Sequence, residues 1–243
     1  MFLVIDIGNT RQKVALFDHD GNLVHLEQYA HLLPTDLLSL CSNYELEAAI
    51  ISSVGEEIQT LIEPLRNQIP IFTFSEDLKL PITLRYGTIS TLGTDRIACA
   101  VAAQSLYPNQ NVLTFQAGTC LVADFVNAQN EYLGGSIAPG LMLRFQSLHN
   151  GTHRLPLVEP HPIDFLIGDS TQNSILSGVI NGMSAEIDGL IDRYASTFPN
   201  LKVIITGGDS ELLKSSIKNS IFAAQNLVLN GLYKILYFNV SEV

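Results

Sequence analysis

The sequence predicts an α/β protein built from two related halves, and two observations lead to that prediction. Segments with the composition of β-strands alternate with segments of helical periodicity along much of the chain. The order strand, small-residue break, strand, polar turn, strand also occurs twice, once from residue 2 and again from residue 111. This repeat places a boundary near residue 115 and predicts domains over 1–115 and 116–243. The hydrophobic content of 47% is enough for a substantial core.

The first half begins with three strand-like runs in immediate succession, which suggests an antiparallel start. A polar turn, Asp18 to Gly21, joins the second run to the third. Strands and helices then alternate, so the pattern is βββαβαβ. The predicted strands are 2–7, 11–17, 22–28, 47–53 and 70–74, and the predicted helices are a short segment after Pro34 and 56–68.

A helical segment with apolar residues on one face, over 91–107, leads into the second half. The opening pattern then recurs, with a small-residue break at Ala117 to Thr119. The predicted strands are 111–115, 120–126, 131–135 and 201–205, and the predicted helices are 140–148, 173–198, 211–217 and 227–238.

The charge balance excludes several function classes. Lys and Arg number 13 against 24 Asp and Glu, so the formal net charge is −11, which is the wrong sign for binding a nucleic-acid backbone. The three cysteines show no zinc or disulfide spacing, which suits a reducing compartment. The N-terminus does not resemble a signal peptide, and no apolar run approaches membrane-spanning length. We therefore expect a cytoplasmic protein that binds neither nucleic acid nor membrane.

A short polar interruption of the first two strands, Asp6-Ile7-Gly8-Asn9-Thr10, is the first candidate site. Glycine permits a sharp turn and close approach of a ligand, while Asn and Thr present donors to phosphate oxygens. Asp6 could hold Mg²⁺, and Lys13 could add a positive charge. An ordinary hairpin with a solvated aspartate remains the alternative.

Two further breaks have a similar composition. Gln116-Ala117-Gly118-Thr119 occupies the matching place in the second half and could contact the same phosphate chain. Thr206-Gly207-Gly208-Asp209 follows an apolar strand and could lie under a nucleoside or begin a helix beside it. Each of these signals is weak separately, and they are stronger together because they fall at corresponding places in a duplicated pattern.

The stretch Leu92-Gly93-Thr94-Asp95-Arg96 lies at the start of a predicted helix. Asp95 is a natural helix cap at this place, and spacing alone favours that interpretation. The functional alternative is that Asp95 accepts a proton from a substrate hydroxyl as its oxygen attacks phosphorus, with Arg96 binding an anionic substrate group.

Two other stretches carry weaker signals. Residues 134–140 could be a plain turn before a helix or the wall of a pocket. His149 and His153 have the spacing of a metal pair, but Gly151 between them argues against a helix, so surface histidines are expected.

Taken together, these residues resemble the type III pantothenate kinases, relatives of the sugar and acetate kinases, actin and the heat-shock-protein ATPases. The resemblance covers nearly the whole chain. It includes the region of Tyr86 and an ordered series of motifs: DIGNTRQK at 6–13, LGTDR at 92–96, AGT at 117–119, YLGGSIAPGL at 132–141, LHNGTHRLP at 148–156, GDSTQNSILSG at 168–178 and ITGGD at 205–209.

The resemblance implies two tandem ribonuclease-H-like domains of the actin-like ATPase fold, with ATP in an interdomain cleft, and transfer of its γ-phosphate to pantothenate in the first step of coenzyme A synthesis. It implies Asp95 as the general base and Asp6 as the Mg²⁺ contact. Asp6, Ile7, Gly8, Asn9, Thr10, Lys13, Gly118 and Thr119 then correspond to ATP-binding residues. Tyr86, Gly93, Thr94, Asp95, Arg96 and Thr171 correspond to the pantothenate pocket. A homodimer is implied as well, with the long helix from Asn173 at its interface.

This sequence departs from the family pattern at several positions. Family members commonly have an aspartate that binds a monovalent cation such as K⁺ or NH₄⁺ at the position of Gln116. Gln116 could still coordinate a cation through its oxygen but supplies no charge, so a requirement for K⁺ is in doubt. The threonines that often follow the second hairpin are Leu121 and Val122 here, and a common proline is Ile89.

Because Asp6 and Asp95 are both present, we predict an active ATP-dependent and Mg²⁺-dependent pantothenate kinase. Two alternatives stay open. One is another small-molecule kinase of the same superfamily, such as a sugar kinase, and the other is a nucleotide-binding regulator without turnover.

Overall fold

A computed structural model describes residues 1–8, 11–53, 58–75 and 77–241 of the chain. The described strands are β1 (Phe2–Ile7), β2 (Gln12–Phe17), β3 (Leu23–Tyr29), β4 (Ala48–Ser53), β5 (Ile71–Thr73), β6 (Thr83–Leu84), β7 (Val112–Ala117), β8 (Cys120–Val126), β9 (Glu131–Pro139), β10 (Lys202–Thr206) and β11 (Phe222–Ala223). The described α-helices are α1 (Pro34–Cys41), α2 (Ile58–Ile62), α3 (Thr94–Leu106), α4 (Leu141–Asn150), α5 (Thr171–Thr197), α6 (Ser210–Lys214) and α7 (Leu227–Ser241).

The chain divides into two compact units. The first unit contains Met1–Leu106 together with the helix that begins at Leu227, and the second contains Tyr107–Asn226. None of the described helices is both long enough and apolar enough to cross a membrane.

The first unit is built on a five-stranded sheet with the order β3-β2-β1-β4-β5. The central strand β1 pairs antiparallel with β2 on one side and parallel with β4 on the other. Apolar side chains fill the first four positions of β1, and all four are buried. A strand buried on both faces needs helices on both sides of the sheet.

Helices cover both faces of this sheet. On one face, Leu3 and Ile5 pack with apolar residues of α1 and α2. On the other face, Phe17 stacks on Tyr233 of α7 with 4.8 Å between the ring centroids. Helix α7 also lies tightly against α3, because a Cβ at Gly231 would be 1.8 Å from the carbonyl oxygen of Ala98. This packing fixes α3, whose N-terminal turn carries Asp95.

The sheet of the second unit repeats the topology of the first. Its strands have the order β11-β10-β7-β8-β9. Strand β7 pairs antiparallel with β8 and parallel with β10, as β1 does with β2 and β4. The predicted duplication of a βββαβαβ unit is therefore confirmed at the level of strand order and direction.

The core of the second unit lies between this sheet and the long helix α5. Residues Ile175, Val179, Met183 and Ile187, whose spacing predicted a helix, are buried against the strands. Arg144 of α4 forms an ion pair with Glu186 of α5, with 2.6 Å between Nη2 and Oε2. The helices that follow the three-strand meander are thus fixed to one another.

The compact units differ from the predicted limits 1–115 and 116–243 in two places. The predicted boundary falls inside β7, whose hydrogen-bonded partners β8 and β10 belong to the second unit. The C-terminal helix α7 belongs to the first unit because it packs on α3 and β1. A repeat in the sequence could not reveal that return of the chain.

Two local predictions are also corrected. The turn that was one of the two alternatives for residues 134–140 is not formed, because these residues belong to strand β9 as far as Pro139, where pairing with β8 holds them extended. The other alternative, a pocket wall, is compatible with the strand, since Gly134 and Gly135 line a cavity. The predicted helix 56–68 has a described helical part that ends at Ile62, because Pro64 cannot continue the backbone hydrogen bonding of a helix.

Candidate active site

Asp6 lies near the carboxyl end of β1, between one residue of each neighbouring strand. It faces Lys13 on β2 and Ser52 on β4 in the strand register. Residues directly opposite one another on paired strands point to the same face of a sheet. The sheet therefore places a carboxylate, an ammonium group and a hydroxyl side by side.

The surroundings of Asp6 disfavour the ionised form of its carboxyl group. Burial, with the nearby Asp95 carboxylate as the second cause, raises its pKa to about 6. Lys13 and a hydrogen bond from Ser52 act in the opposite direction without cancelling the effect. Two carboxylates in one partly buried region favour the arrival of a cation.

The residues around Asp6 fit Mg²⁺. This ion prefers oxygen ligands and in phosphoryl-transfer enzymes uses one or two carboxylates together with substrate phosphates. The described residues contain no group of three or more His, Cys, Asp or Glu side chains that could hold a metal by themselves. A site at Asp6 would therefore be completed by the oxygens of a ligand.

Helix α3 brings Asp95 to this region, although not in the way that a capping role predicts. The helix begins at Thr94, and the carbonyl oxygen of Gly93 accepts hydrogen bonds from the N–H groups of Arg96 and Ile97. Asp95 is the second residue of the helix, so its predicted N-cap position is wrong. Its Oδ1 lies 2.5 Å from the place that a Cβ on Gly93 would take. The missing side chain of Gly93 is what makes room for this carboxylate.

A hydroxyl pair joins the start of α3 to the sheet. The Oγ atom of Ser52 lies 2.7 Å from Oγ1 of Thr94. Ser52 is 2% exposed and also hydrogen-bonds the Asp6 carboxylate. Sequence reasoning did not single out Ser52, whose only local signal is a polar residue at the end of the buried run Ala48 to Ile51.

Arg96 and Tyr86, both predicted substrate residues, are brought together. The guanidinium carbon of Arg96 lies 5.6 Å from the centroid of the Tyr86 ring, and Arg96 is 7% exposed. A guanidinium held against an aromatic ring keeps its planar N–H groups in a fixed direction. Such a group suits the recognition of a carboxylate.

The structure describes only some of the other residues predicted to bind ATP around the first break. Ile7 is the last residue of β1, and a Cβ on Gly8 would lie 3.1 Å from the carbonyl oxygen of Arg11. Asn9 and Thr10 lie outside the described residues.

In the second unit, two segments contact the hairpin that contains Gly118 and Thr119. The N–H of Gly140 donates to the carbonyl oxygen of Thr119 at 3.0 Å, and the N–H of Asp209 donates to that of Ala117 at 3.1 Å. A Cβ on Gly118 would meet no described atom within 4 Å, so this glycine faces open space. The hairpin has the exposed backbone that close approach of a phosphate requires.

Glycine is required at two positions that support this hairpin. Gly207 has φ of +100°, and a Cβ there would be 2.1 Å from the carbonyl oxygen of Ala117. A Cβ on Gly140 would be 1.9 Å from the carbonyl oxygen of Gly118. Burial raises the pKa of Asp209, which follows the glycine pair. Composition indicated these segments, but not that they contact one another.

Gln116 does not fit a monovalent cation well. Its Nε2 atom is buried and has no hydrogen-bond partner among the described residues. In this orientation the amide presents a donor that suits an acceptor such as a phosphate oxygen, and a half-turn would present its oxygen instead. The amide also brings no charge to offset that of an ion.

The remaining candidates belong to the second unit. Thr171 is the exposed first residue of α5 in the second unit. His149 lies in the last turn of α4, where its Nδ1 is 2.8 Å from the carbonyl oxygen of Leu155. Helix α4 ends before Gly151, as predicted from that glycine.

Asp6→Asn should make the metal-free protein more stable at neutral pH. The folded-state pKa of about 6 exceeds the ordinary 3.8, so stability falls as pH rises from about 4 to about 6 and the loss persists above it. The amide removes that loss, with an upper bound of about 3 kcal/mol. The measurement is thermal unfolding in EDTA across this pH range.

The exposed turn variant Asp20→Asn makes the same chemical change at the surface and is the matched control. The stability of Asp6→Asn and of the parent protein is compared at about pH 8 and about pH 4. If the difference between them is the same at both pH values, the pKa of Asp6 is not raised in the folded protein.

The geometry of both units can be compared with known proteins. Residues 2–193 match the family model described as type III pantothenate kinase. A type III pantothenate kinase from Christiangramia forsetii is 43% identical over 247 residues, and one from Flavobacterium johnsoniae is 38% identical over 246, each alignment covering 100% of both chains. In fold, the chain is similar to a ROK family glucokinase from Streptomyces griseus in complex with glucose and AMPPNP, with a TM-score of 0.54, 14% identity and coverage of 96% of this chain and 98% of that one. The chain belongs to the type III pantothenate kinase family.

Proposed function

We propose that this protein transfers the γ-phosphate of ATP to the primary hydroxyl of pantothenate, the first step of coenzyme A biosynthesis. Membership of the type III pantothenate kinase family supports both substrates. The observation that carries the proposal is the placement of Asp6, Asp95 and Arg96 in one unit, with the two carboxylates close enough to raise the pKa of Asp6. This set supplies a metal ligand, a proton acceptor and an anion receptor.

Asp95 acts as the general base in this proposal. It accepts the hydroxyl proton as the pantothenate oxygen attacks the γ-phosphorus in line with the leaving oxygen of ADP. Asp6 is the protein ligand for Mg²⁺, which supplies positive charge to the phosphate oxygens when it is bound. Lys13, opposite Asp6 in the strand register, adds a fixed positive charge on the same face.

Arg96 binds the carboxylate of pantothenate. Its burial beside Tyr86 lowers the number of orientations that the guanidinium can adopt, so less entropy is lost when the substrate binds. Thr94, at the start of α3, lies next to the base and contacts the substrate hydroxyl region. Thr171 completes the pocket, as the family resemblance implies.

The nucleotide phosphates contact Gly8, Asn9 and Thr10 of the first hairpin. Gly118 and Thr119 of the second hairpin contribute backbone and hydroxyl donors. An anionic ligand can bind this acidic protein because such donors act locally, whatever the net charge. As the resemblance implies, the enzyme works as a homodimer, and its cysteine usage suits the reducing cytoplasm.

The proposal is tested with purified protein, ATP, Mg²⁺ and pantothenate, each with and without K⁺ or NH₄⁺, by mass spectrometry of the product. We expect 4′-phosphopantothenate. Asp95→Asn should lower kcat by roughly 10²–10⁴-fold because the proton acceptor is lost. Binding of Mg·ATP, measured by calorimetry, should persist, because Asp6 is retained as the metal ligand and ionises more readily once the neighbouring charge that raises its pKa is gone.

Asp36→Asn is the matched control. Asp36 lies in the first turn of α1, where its Oδ2 accepts a hydrogen bond from the N–H of Leu33 at 2.9 Å. It should cost some stability without changing kcat. If Asp95→Asn behaves in the same way, Asp95 has a structural role only. Absence of phosphopantothenate under every ionic condition would refute the proposed function, and a panel of sugars would then test the alternative kinase.

Gly93→Ala should lower kcat while leaving the fold intact. The added methyl group would overlap Oδ1 of Asp95, and the clash is relieved by moving that carboxylate rather than the backbone. A displacement near 1 Å at a reacting group can cost about 10²-fold in rate. Steady-state kinetics and the thermal midpoint of unfolding measure the two effects separately.

Gly189→Ala on α5 is the control, since a Cβ there would meet no described atom within 4 Å. It should stabilise the helix by about 0.5–1 kcal/mol and leave kcat unchanged. An unchanged kcat in Gly93→Ala would mean that the carboxylate works from a different position.

Gln116→Asp should make turnover respond to K⁺, whereas the parent enzyme should respond little. The substitution adds a charged oxygen ligand where the present side chain offers a buried donor. The measurement is kcat in K⁺ compared with Na⁺ at equal ionic strength. The exposed Gln129→Asp supplies the same change of net charge at another site. Strong activation of the parent enzyme by K⁺ would contradict this prediction.

A further inference from the structure

Ser52 is a buried polar residue that the proposed reaction does not use directly. It lies on β4 and is 2% exposed. The parallel register of β1 and β4 places it opposite Asp6, 46 residues away in the sequence. Its side chain therefore faces the same side of the sheet as the proposed Mg²⁺ ligand.

The hydroxyl of Ser52 lies between two polar groups. One is the carboxylate of Asp6, which is opposite Ser52 in the strand register and whose pKa Ser52 lowers, and the other is Oγ1 of Thr94 at 2.7 Å. An ionised carboxylate can only accept, so the single proton of Ser52 is donated to Asp6. Thr94 must then donate its own proton to Ser52. The resulting chain runs in one direction, from Thr94 through Ser52 to Asp6.

This chain joins the two segments that carry the reacting carboxylates. Asp6 is near the end of β1, and Thr94 directly precedes Asp95 at the start of α3. The two negative charges repel each other, so the position of the helix end needs an attractive contact to oppose that repulsion. A buried, charge-assisted hydrogen-bond chain supplies one.

We propose that Ser52 is a positioning residue that fixes the Asp95-bearing end of α3 relative to Asp6 through Thr94. The inference rests on the proposed function, because it assigns the purpose of the contact to alignment of the metal ligand and the base. It also predicts that Thr94 offers only acceptor lone pairs to a substrate, since its proton is already donated.

A simpler interpretation is that Ser52 is an ordinary buried hydroxyl. The chain provides a comparison in Ser184 of α5, which is 3% exposed and whose Oγ has no hydrogen-bond partner among the described residues. Ser184→Ala removes a hydroxyl of equal size and burial that joins nothing. Any effect that Ser52→Ala has beyond this control comes from its two contacts.

The test compares Ser52→Ala, Ser184→Ala and the double variant Ser52→Ala with Thr94→Ala in the full-length enzyme. We expect Ser52→Ala to lower kcat by about 10–100-fold, with smaller changes in both KM values and a thermal midpoint close to that of Ser184→Ala. Thr94→Ala alone should lower kcat, and the double variant should lose little more than the worse single variant, because the hydroxyls act as one chain. Thr94→Ser, which keeps the hydroxyl, should retain most of the turnover.

A second measurement does not depend on turnover. In the ligand-free protein, hydrogen exchange of the Arg96 and Ile97 amides, both bonded to the carbonyl of Gly93, should speed up in Ser52→Ala but not in Ser184→Ala. If the parent enzyme makes no phosphopantothenate while this difference appears, the proposed function fails and the contact stands. If the parent enzyme is active and Ser52→Ala matches Ser184→Ala in kcat and exchange, the inference about Ser52 is wrong. Additive losses in the double variant would also overturn it.

Discussion

The position of two carboxylates near one another is the constraint on which the rest of the first unit depends. Asp6 and Asp95 repel, and burial strengthens the repulsion by removing water. Such a pair persists only if stronger interactions hold the segments that carry it. Here those interactions are the apolar core beneath β1 and the packing of α3 on α7. The stability of the core maintains an arrangement of like charges that is electrostatically unfavourable by itself.

The strand order determines which side chains flank Asp6. In the order β3-β2-β1-β4-β5, the central strand has an antiparallel neighbour on one side and a parallel neighbour on the other. Lys13 lies opposite Asp6 because β2 runs antiparallel beside β1, and Ser52 lies opposite it because a crossover through α1 returns the chain as the parallel strand β4. Asp6 of β1 is therefore flanked by the ammonium group of Lys13 and the hydroxyl of Ser52. The second unit repeats this frame, with Gln116 next to the end of β7.

Local sequence patterns predict the buried strands well. They predict poorly the elements whose structure depends on contacts with distant parts of the chain. The limits of β1 and β8 are predicted to the residue because apolar or alternating runs end at clear breaks. Strand β9 continues through Gly134 to Pro139, a composition that strands avoid, because pairing with β8 overrides local preference. The two-residue strands β6 and β11 are too short to leave a pattern. The return of α7 to the first unit depends on packing with α3, which no local window contains.

The candidate site also contains residues that local sequence identifies and contacts that it does not. Asp6, Lys13 and Asp95 stand in recognisable motifs, so the sequence alone brings them forward. The contact between Ser52 and Thr94 joins positions 42 residues apart and follows from the packing of α3 beside β4, which no local stretch of sequence reveals. The role of Gly93 is likewise invisible in a motif, since it consists of the space left for the Asp95 carboxylate.

The net charge of −11 imposes a last requirement, because both proposed substrates are anions. At physiological salt the field of distant surface charges decays over about 8 Å, while partly buried groups are screened much less. An anion at the site is therefore governed by its nearest groups, Lys13 and Arg96, and by the cation that Asp6 attracts. Arg96 is held beside Tyr86 with only 7% of its surface exposed, so its charge acts where water is scarce. An acidic enzyme can thus select anionic substrates by the placement of a few buried charges, and the same burial explains the raised pKa of Asp6.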